Sequence, residues 1–400
     1  MSTITSDPRP GIASTQFTSH LHPEPSWQLA DHFVPTGREE TWRFTPVKRF
    51  QTLIDASVDG ELEVRTSLPE GVTSRRISPQ QARELSFDAP VDIVAARAVT
   101  GASAGAVLVE VPAGATPSEP LVVELHGDGR DAAVHLLVDI AHQAEVTVVL
   151  RHTGSARLAA KVEVHVGEGA QVDIVSVQDW DAGAVHGGQF SVLVGRDAKV
   201  RTIQASVGHG DVRLVERAEY AGPGGELEQL GIYFVQSGQH VEHRLLVDHN
   251  HPRTVSHVDY RGALQGKGAH SVWIGDVMIR KNAVDIETYE SNKNLMLTEG
   301  CQADSVPNLE IETGEIRGAG HSSSTGRFDD EQLFYLRSRG IPEEQARRLV
   351  VEGFFLDIIR RIGVPQIESR LTEALNAQLA SIDGITHEAM LGEAHPEERQ

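Results

Sequence analysis

Apolar and polar residues alternate in short runs across residues 106–312, and Gly, Asp or Ala turns separate the runs. Period-two alternation of this kind marks half-buried strands. The runs fall at residues 107–109, 121–125, 134–140, 146–150, 162–166, 172–177, 190–194 and 200–203. A turn of small or polar residues ending at Ala precedes several of them, at Gln143-Ala144-Glu145, Glu168-Gly169-Ala170 and Arg196-Asp197-Ala198. Ala144, Ala170 and Ala198 therefore stand 26 and 28 residues apart, and Gly225-Glu226, Gly268-Ala269 and Gly300-Cys301 continue the series. A repeat of this length made only of strands predicts a stacked coil of β-strands. A βαβ sheet would need helices between its parallel strands, and none is encoded here. The irregular spacing leaves a β-sandwich as the alternative.

The flanks read differently. Residues 1–26 are rich in Ser, Thr, Pro and His, lack periodicity, and predict a disordered leader. Residues 27–104 predict a small α-rich module. Glu39 and Glu40 lead into Trp42, Phe44, Val47 and Phe50 as a short amphipathic helix broken at Pro46, and a second short helix opens at Pro79. The β-coil is expected over residues 105–320 and a C-terminal helical domain over 321–400. Within that domain Asp329 or Asp330 can cap a first helix ending at Gly340, and Pro342 opens a second. A third begins near Pro365 and carries Ile367, Leu371, Leu375 and Leu379 four residues apart, a stripe that a helical bundle or a partner must cover.

Composition narrows the function classes. The 36 Lys and Arg against 57 Asp and Glu leave a net charge of −21 over 400 residues, which disfavours a nucleic-acid or anionic-membrane partner. One cysteine, Cys301, supports neither an internal disulfide nor a self-contained zinc or iron-sulfur site. The expected compartment is reducing. No apolar run approaches the roughly 20 residues of a membrane span, and the polar N-terminus lacks a signal-peptide core, so a cytoplasmic location is expected.

Candidate chemistry is sparse. The nearest approach to a P-loop, Gly262 to Gly268, has three residues between its first two glycines and Gly268 where a hydroxyl is required, so no ATP is expected on this chain. His240, His243, His249, His251 and His257 fall within eighteen residues and invite a metal reading. Alternation along a strand gives the same spacing, and no carboxylate or cysteine is placed to complete an obvious set. Cys301 follows Gly300 where a small residue is wanted and reads as a buried, inert thiol. A loop hydrolase built on His321 and Ser322 to Ser324 lacks nucleophile-base geometry. A β-helical carbohydrate-active enzyme would need aromatic platforms, yet aromatic residues are 5% of the chain.

Residues 290–355 carry the decisive pattern: Asn294-Leu295, Ala303-Asp304, Pro307 to Ile311, a Gly-x-His element at His321, Gly326, Glu331 to Leu336, Arg339-Gly340-Ile341 and Ala346-Arg347. This segment closely resembles the C-terminal signature of the SufB/SufD family of iron-sulfur cluster assembly proteins. Upstream, Glu40 to Thr45 resembles the family's Trp-Arg-Tyr/Phe-Thr element. Length and the absence of a cysteine cluster are most like SufD.

The resemblance implies a right-handed parallel β-helix flanked by helical segments. It implies a non-enzymatic scaffold that pairs with a SufB-like subunit through the β-helix and docks a SufC-like ATPase through its C-terminal helices. Leu333, Phe334, Tyr335, Arg339 and Gly340 are then the partner-binding residues. It also implies that His321 is an iron or cluster ligand at the SufB interface, sharing a nascent iron-sulfur cluster with that subunit. Ala319 stands where the family's Cys-x-His-Gly element has its cysteine, and Ser322 where it has its glycine. A SufB-like homodimer is the nearest alternative.

Overall fold

The computed structural model describes residues 23–55, 58, 60–327 and 330–392. Most of the expected leader, Asp329 as a helix cap, and residues 393–400 of the acidic tail lie outside the described residues.

Two long strands start the coil. β4 (Leu121–Ile140) and β5 (Glu145–Val166) are 20 and 22 residues long and lie parallel along most of their length, with one register shift between Asp128 and Asp131. On their edge, β1 (Glu63–Ser67) runs antiparallel to the first part of β4, while β3 (Ala106–Val111) runs parallel to its second part. β2 (Thr73–Ile77) pairs antiparallel with β3. The first half of β5 pairs with β6 (Gln171–Trp180) and the second half with β7 (Val185–Val194), so one strand feeds two sheets.

From there successive strands alternate between the sheets. β8 (Lys199–Ser206), β10 (Glu226–Val235), β12 (Val255–Leu264), β14 (Glu287–Met296) and β16 (Gly318–Arg327) extend β6 as the even sheet. β9 (Asp211–Tyr220), β11 (His240–His249), β13 (His270–Ile279) and β15 (Gln302–Ile311) extend β7 as the odd sheet. Every pairing in both series is parallel, giving a parallel β-helix of about eight turns rather than an antiparallel sandwich. Gln171, Lys199, Glu226, Val255, Glu287 and Gly318 lie in one register column, at intervals of 28, 27, 29, 32 and 31 residues.

The repeated turns explain the repeated alanines. Gln143, Gly169 and Asp197 all take positive φ (56°, 66° and 53°), and each is followed by an alanine at most 1% exposed. The backbone N–H of Gln143 donates to the carbonyl of Glu168 on the next rung, that of Gly169 to Arg196 and that of Asp197 to Pro223. Left-handed backbone reverses the chain while the small residue tucks beneath the next turn. Residues 262–264 of the P-loop look-alike belong to β12, and Gly266 and Gly268 to the turn after it.

Inward side chains fill the coil with Val, Ile and Leu in its early turns, including Val146, Val148, Val164, Val172, Ile174 and Val192. The outer face of the odd sheet is covered by the N-terminal module. There α1 (Gln51–Asp55) and α3 (Ile93–Gly101) seat Phe50, Leu53, Ile54, Ile93 and Val94 over Ala133 and Ala159. The helix expected around residues 39–50 is replaced by turns and a 3-10 helix at Val47–Arg49, with Pro46 as its N-cap. α2 (Pro79–Leu85) forms as expected, closed by a capping box between Ser78 and Gln81.

The outer face of the even sheet is apolar too, and the C-terminal helices cover it. α4 (Asp330–Ser338) is followed by α5 (Glu343–Ile359) and α6 (Pro365–Gly392). Ile367, Leu371, Leu375 and Leu379 pack with Phe355 and Ile358 on a surface that includes Val175, Val177, Ile203, Leu230, Ile232 and Phe234. The stripe is therefore answered by the coil itself. Arg261–Asp357 (3.0 Å), Arg361–Glu228 (2.9 Å) and Arg370–Asp179 (2.7 Å) pin the rim of that contact. β16 runs across the boundary expected at residue 320, so His321 is a strand residue. No helix among the described residues is long and apolar enough to cross a membrane.

Candidate functional site

His321 occupies the last rung of the even sheet. Its register column runs back through Glu290, Val258, Gln229, Thr202 and Ile174. In β14 and β16 alternate residues face the interior, so His321 continues the inward column at the open end of the coil. Ala319, two residues earlier, packs against the same interior. Ser322 points the other way and accepts a hydrogen bond from the Tyr289 hydroxyl (2.9 Å). Ser322 to Ser324 lie on a strand rather than the loop that a hydrolase reading requires.

Beneath His321 sits a buried acid. Glu290 Oε1 lies 3.9 Å from His321 Nδ1, with the imidazole 42% exposed and the carboxyl 2%. Among the described residues Oε1 has no hydrogen-bond partner. Burial, with the Asp276 carboxylate adding to it, pushes the Glu290 carboxyl up to about 8, partly offset by the backbone N–H of Asn308. Gly275 makes the arrangement possible: a Cβ there would collide with both Glu290 Oε2 and the Trp273 ring. Glu290 escaped the reading of the sequence, although it precedes His321 by 31 residues, one turn of the coil.

The interior of the later turns mixes apolar residues such as Leu245, Val258 and Val277 with buried polar groups. Glu216 accepts from the Tyr260 hydroxyl (2.7 Å) and pairs with His243 Nδ1 (2.7 Å), whose Nε2 lies 3.2 Å from the Ser206 hydroxyl. The Tyr233 hydroxyl donates to Asn294 (2.7 Å) and accepts from Asn292 (2.9 Å). These groups satisfy one another, as buried polar groups must.

The five clustered histidines do not converge. His243 belongs to the network just described, and His249 bonds Thr254 (2.7 Å) and Ser256 (2.9 Å). His251 lies in the turn after β11, so it shares no strand face with His249. His257 stacks on Tyr289. His240 meets His270, a residue the spacing did not single out. Among the described residues no group of three or more His, Cys, Asp or Glu side chains is arranged to hold a metal ion. Cys301 is half-buried, its Sγ donating to the Gly266 carbonyl (3.4 Å), and it takes the small-residue place after Gly300 that alanine fills in other turns.

The partner-binding candidates lie elsewhere, on and just after α4. Phe334 and Tyr335 are 74% and 57% exposed, and the Arg339 guanidinium lies 5.2 Å from the centre of the Tyr335 ring. Gly340, at φ 85°, ends the turn that follows. The Leu333 side chain lies outside the described residues. Neither the groove of about 540 Å³ along Gln171, Lys199 and Glu226 nor the cavity of about 420 Å³ beside Trp42 and Arg213 contains His321.

The sequence profile described as "SUF system FeS cluster assembly, SufBD core domain" matches residues 124–354, from β4 into α5. An iron-sulfur cluster assembly SufBD family protein of Mycobacterium tuberculosis is 46% identical over 356 residues, covering 86% of this chain and 89% of that one. The iron-sulfur cluster assembly protein SufD of Escherichia coli is 22% identical over 383 residues, covering 86% and 88%. SufD of Bacillus subtilis is 24% identical over 283 residues, covering 69% and 64%.

Proposed function

The chain belongs to the SufBD family of iron-sulfur cluster assembly proteins, and from that premise we propose that it is a SufD-like scaffold subunit of an assembly complex. In this reading it is not itself an enzyme. It pairs with a SufB-like subunit through the open end of the β-helix and docks a SufC-like ATPase through the helices after β16.

The observation that carries the proposal is the place of His321: a 42% exposed imidazole on the last rung, beside a strand edge available for pairing. A neutral imidazole is a competent iron ligand. Ala319 offers no thiolate, so the sulfur ligands of the nascent cluster come from the partner. The cluster is cargo here, held briefly between chains rather than in a closed cage.

The test is His321→Ala in the assembled complex, with cluster formation followed by its visible absorption. Cluster yield falls while the complex still co-purifies. Unchanged assembly by an intact complex removes the ligand role.

A further inference from the structure

His240 on β11 and His270 on β13 are direct register partners on the outer face of the odd sheet. Their Nδ1 atoms lie 3.1 Å apart. The other nitrogen of each ring is tied to a carboxylate: His240 Nε2 to Glu242 Oε2 (3.1 Å) and His270 Nε2 to Asp304 Oδ2 (2.7 Å).

These outer contacts decide where the ring protons are. Glu242 is fully buried, accepts from the Thr45 hydroxyl (2.7 Å), and lies beside Arg213 (3.5 Å) and Arg244 (3.4 Å), so its carboxyl is fixed in place behind the His240 ring. Asp304 also accepts from the Gln302 amide (2.7 Å). A carboxylate oxygen accepts, so Nε2 is the donor in each of these contacts and Nδ1 is the nitrogen each ring turns toward its counterpart. Two lone pairs facing each other at this distance repel unless a cation lies between or beside them.

We propose that His240 and His270 form a binding site for one divalent first-row transition-metal ion. Carboxylates holding the far nitrogens of two imidazoles are the usual support behind histidine metal ligands. Two nitrogens about 2.1 Å from one ion lie about 3.0 Å apart at an octahedral angle and about 3.4 Å apart at a tetrahedral one, and the 3.1 Å between the two Nδ1 atoms falls in that range. His240 is buried, whereas the His270 side chain is 21% exposed and gives the ion a route from solvent. Two protein donors leave the remaining positions to water, which suits an ion that is loaded and released. The site is independent of His321 and of the scaffold reading.

The full-length chain, free of any affinity tag and stripped with chelator, is titrated with cobalt(II) near pH 7.5 and followed by its visible ligand-field absorption. Zinc(II) calorimetry gives the stoichiometry. One ion binds per chain. His270→Gln weakens binding at least tenfold, and Asp304→Asn, at a half-buried position, weakens it roughly tenfold. His142→Ala, at an exposed turn remote from the pair, leaves the titration unchanged. The proposal fails if no ion binds at millimolar concentration, or if both the His270 and Asp304 variants bind as the parent does. The latter result also covers the case in which a shared proton alone occupies the gap.

Discussion

Glu290 and His321 hold the same register position on adjacent rungs, with the carboxyl buried under the imidazole and 3.9 Å from it. The carboxyl is held up to about 8 in the folded chain against an ordinary value of 4.5. Between those values the folded chain keeps a proton that the unfolded chain has lost, so stability falls as pH rises from about 5 to about 8. The expected loss is a few kcal/mol. Glu290→Gln should reduce it, seen as urea midpoints that differ less between pH 5.5 and 8.5, the remainder coming from Glu219, which burial raises to about 7. An unchanged slope would remove Glu290 as its source.

Glycine makes room for the aromatic interior. A Cβ on Gly262 would lie inside the Tyr233 ring, and one on Gly231 inside that of Tyr260. Gly262→Ala should destabilise by about 2–3 kcal/mol, because both partners are fixed in rungs that cannot spread. Gly314→Ala, where a Cβ meets nothing within 4 Å, should change thermal stability by less than about 0.5 kcal/mol.

Asp92 ties the N-terminal module to the coil. Its carboxylate accepts from the backbone N–H of Ala95 (2.9 Å) as the cap of α3 and from Arg213 (2.6 Å), whose guanidinium lies 3.7 Å from the centre of the Trp42 ring. Asp92→Ala removes a cap and leaves a buried arginine short of a partner. A loss of about 3 kcal/mol is expected in denaturant unfolding. Asp92→Asn, which keeps the cap, should fall between.

Phe334 and Tyr335 are large, exposed and apolar on α4. Replacing both with Ala should move stability by less than about 0.5 kcal/mol while weakening capture of the SufC-like ATPase proposed above at least tenfold. Capture at parental strength would take α4 out of the interface.

The coil was legible because its turns repeat a chemical requirement: a left-handed residue, then a small one, as at Gly169-Ala170. His321 stood out only through its motif, since one histidine on a strand carries no local signal, and its proposed role rests on that resemblance and on its place in the last rung. Glu290 and the pairing of His240 with His270 were not legible, because contacts between rungs join residues about 30 positions apart and depend on which face each strand turns inward. The destination of the Ile367 to Leu379 stripe was hidden for a related reason. Val175, Ile203 and Leu230 read as ordinary alternating strand positions until their shared outer face is assembled. Removing the chain after Gly326 therefore exposes that apolar face, rather than leaving a self-sufficient core.

β4 and β5 each pass through both sheets, whereas every later strand belongs to one. At that end the two walls are joined by unbroken backbone and cannot part. At β15 and β16 they are separate strands joined through a turn and their side chains, with no further rung above them among the described residues. The coil is mechanically a clamp with a welded hinge and a free jaw. Opening is therefore expected to start at the jaw, and a partner seated there would bear first on the rungs that carry Glu290 and His321.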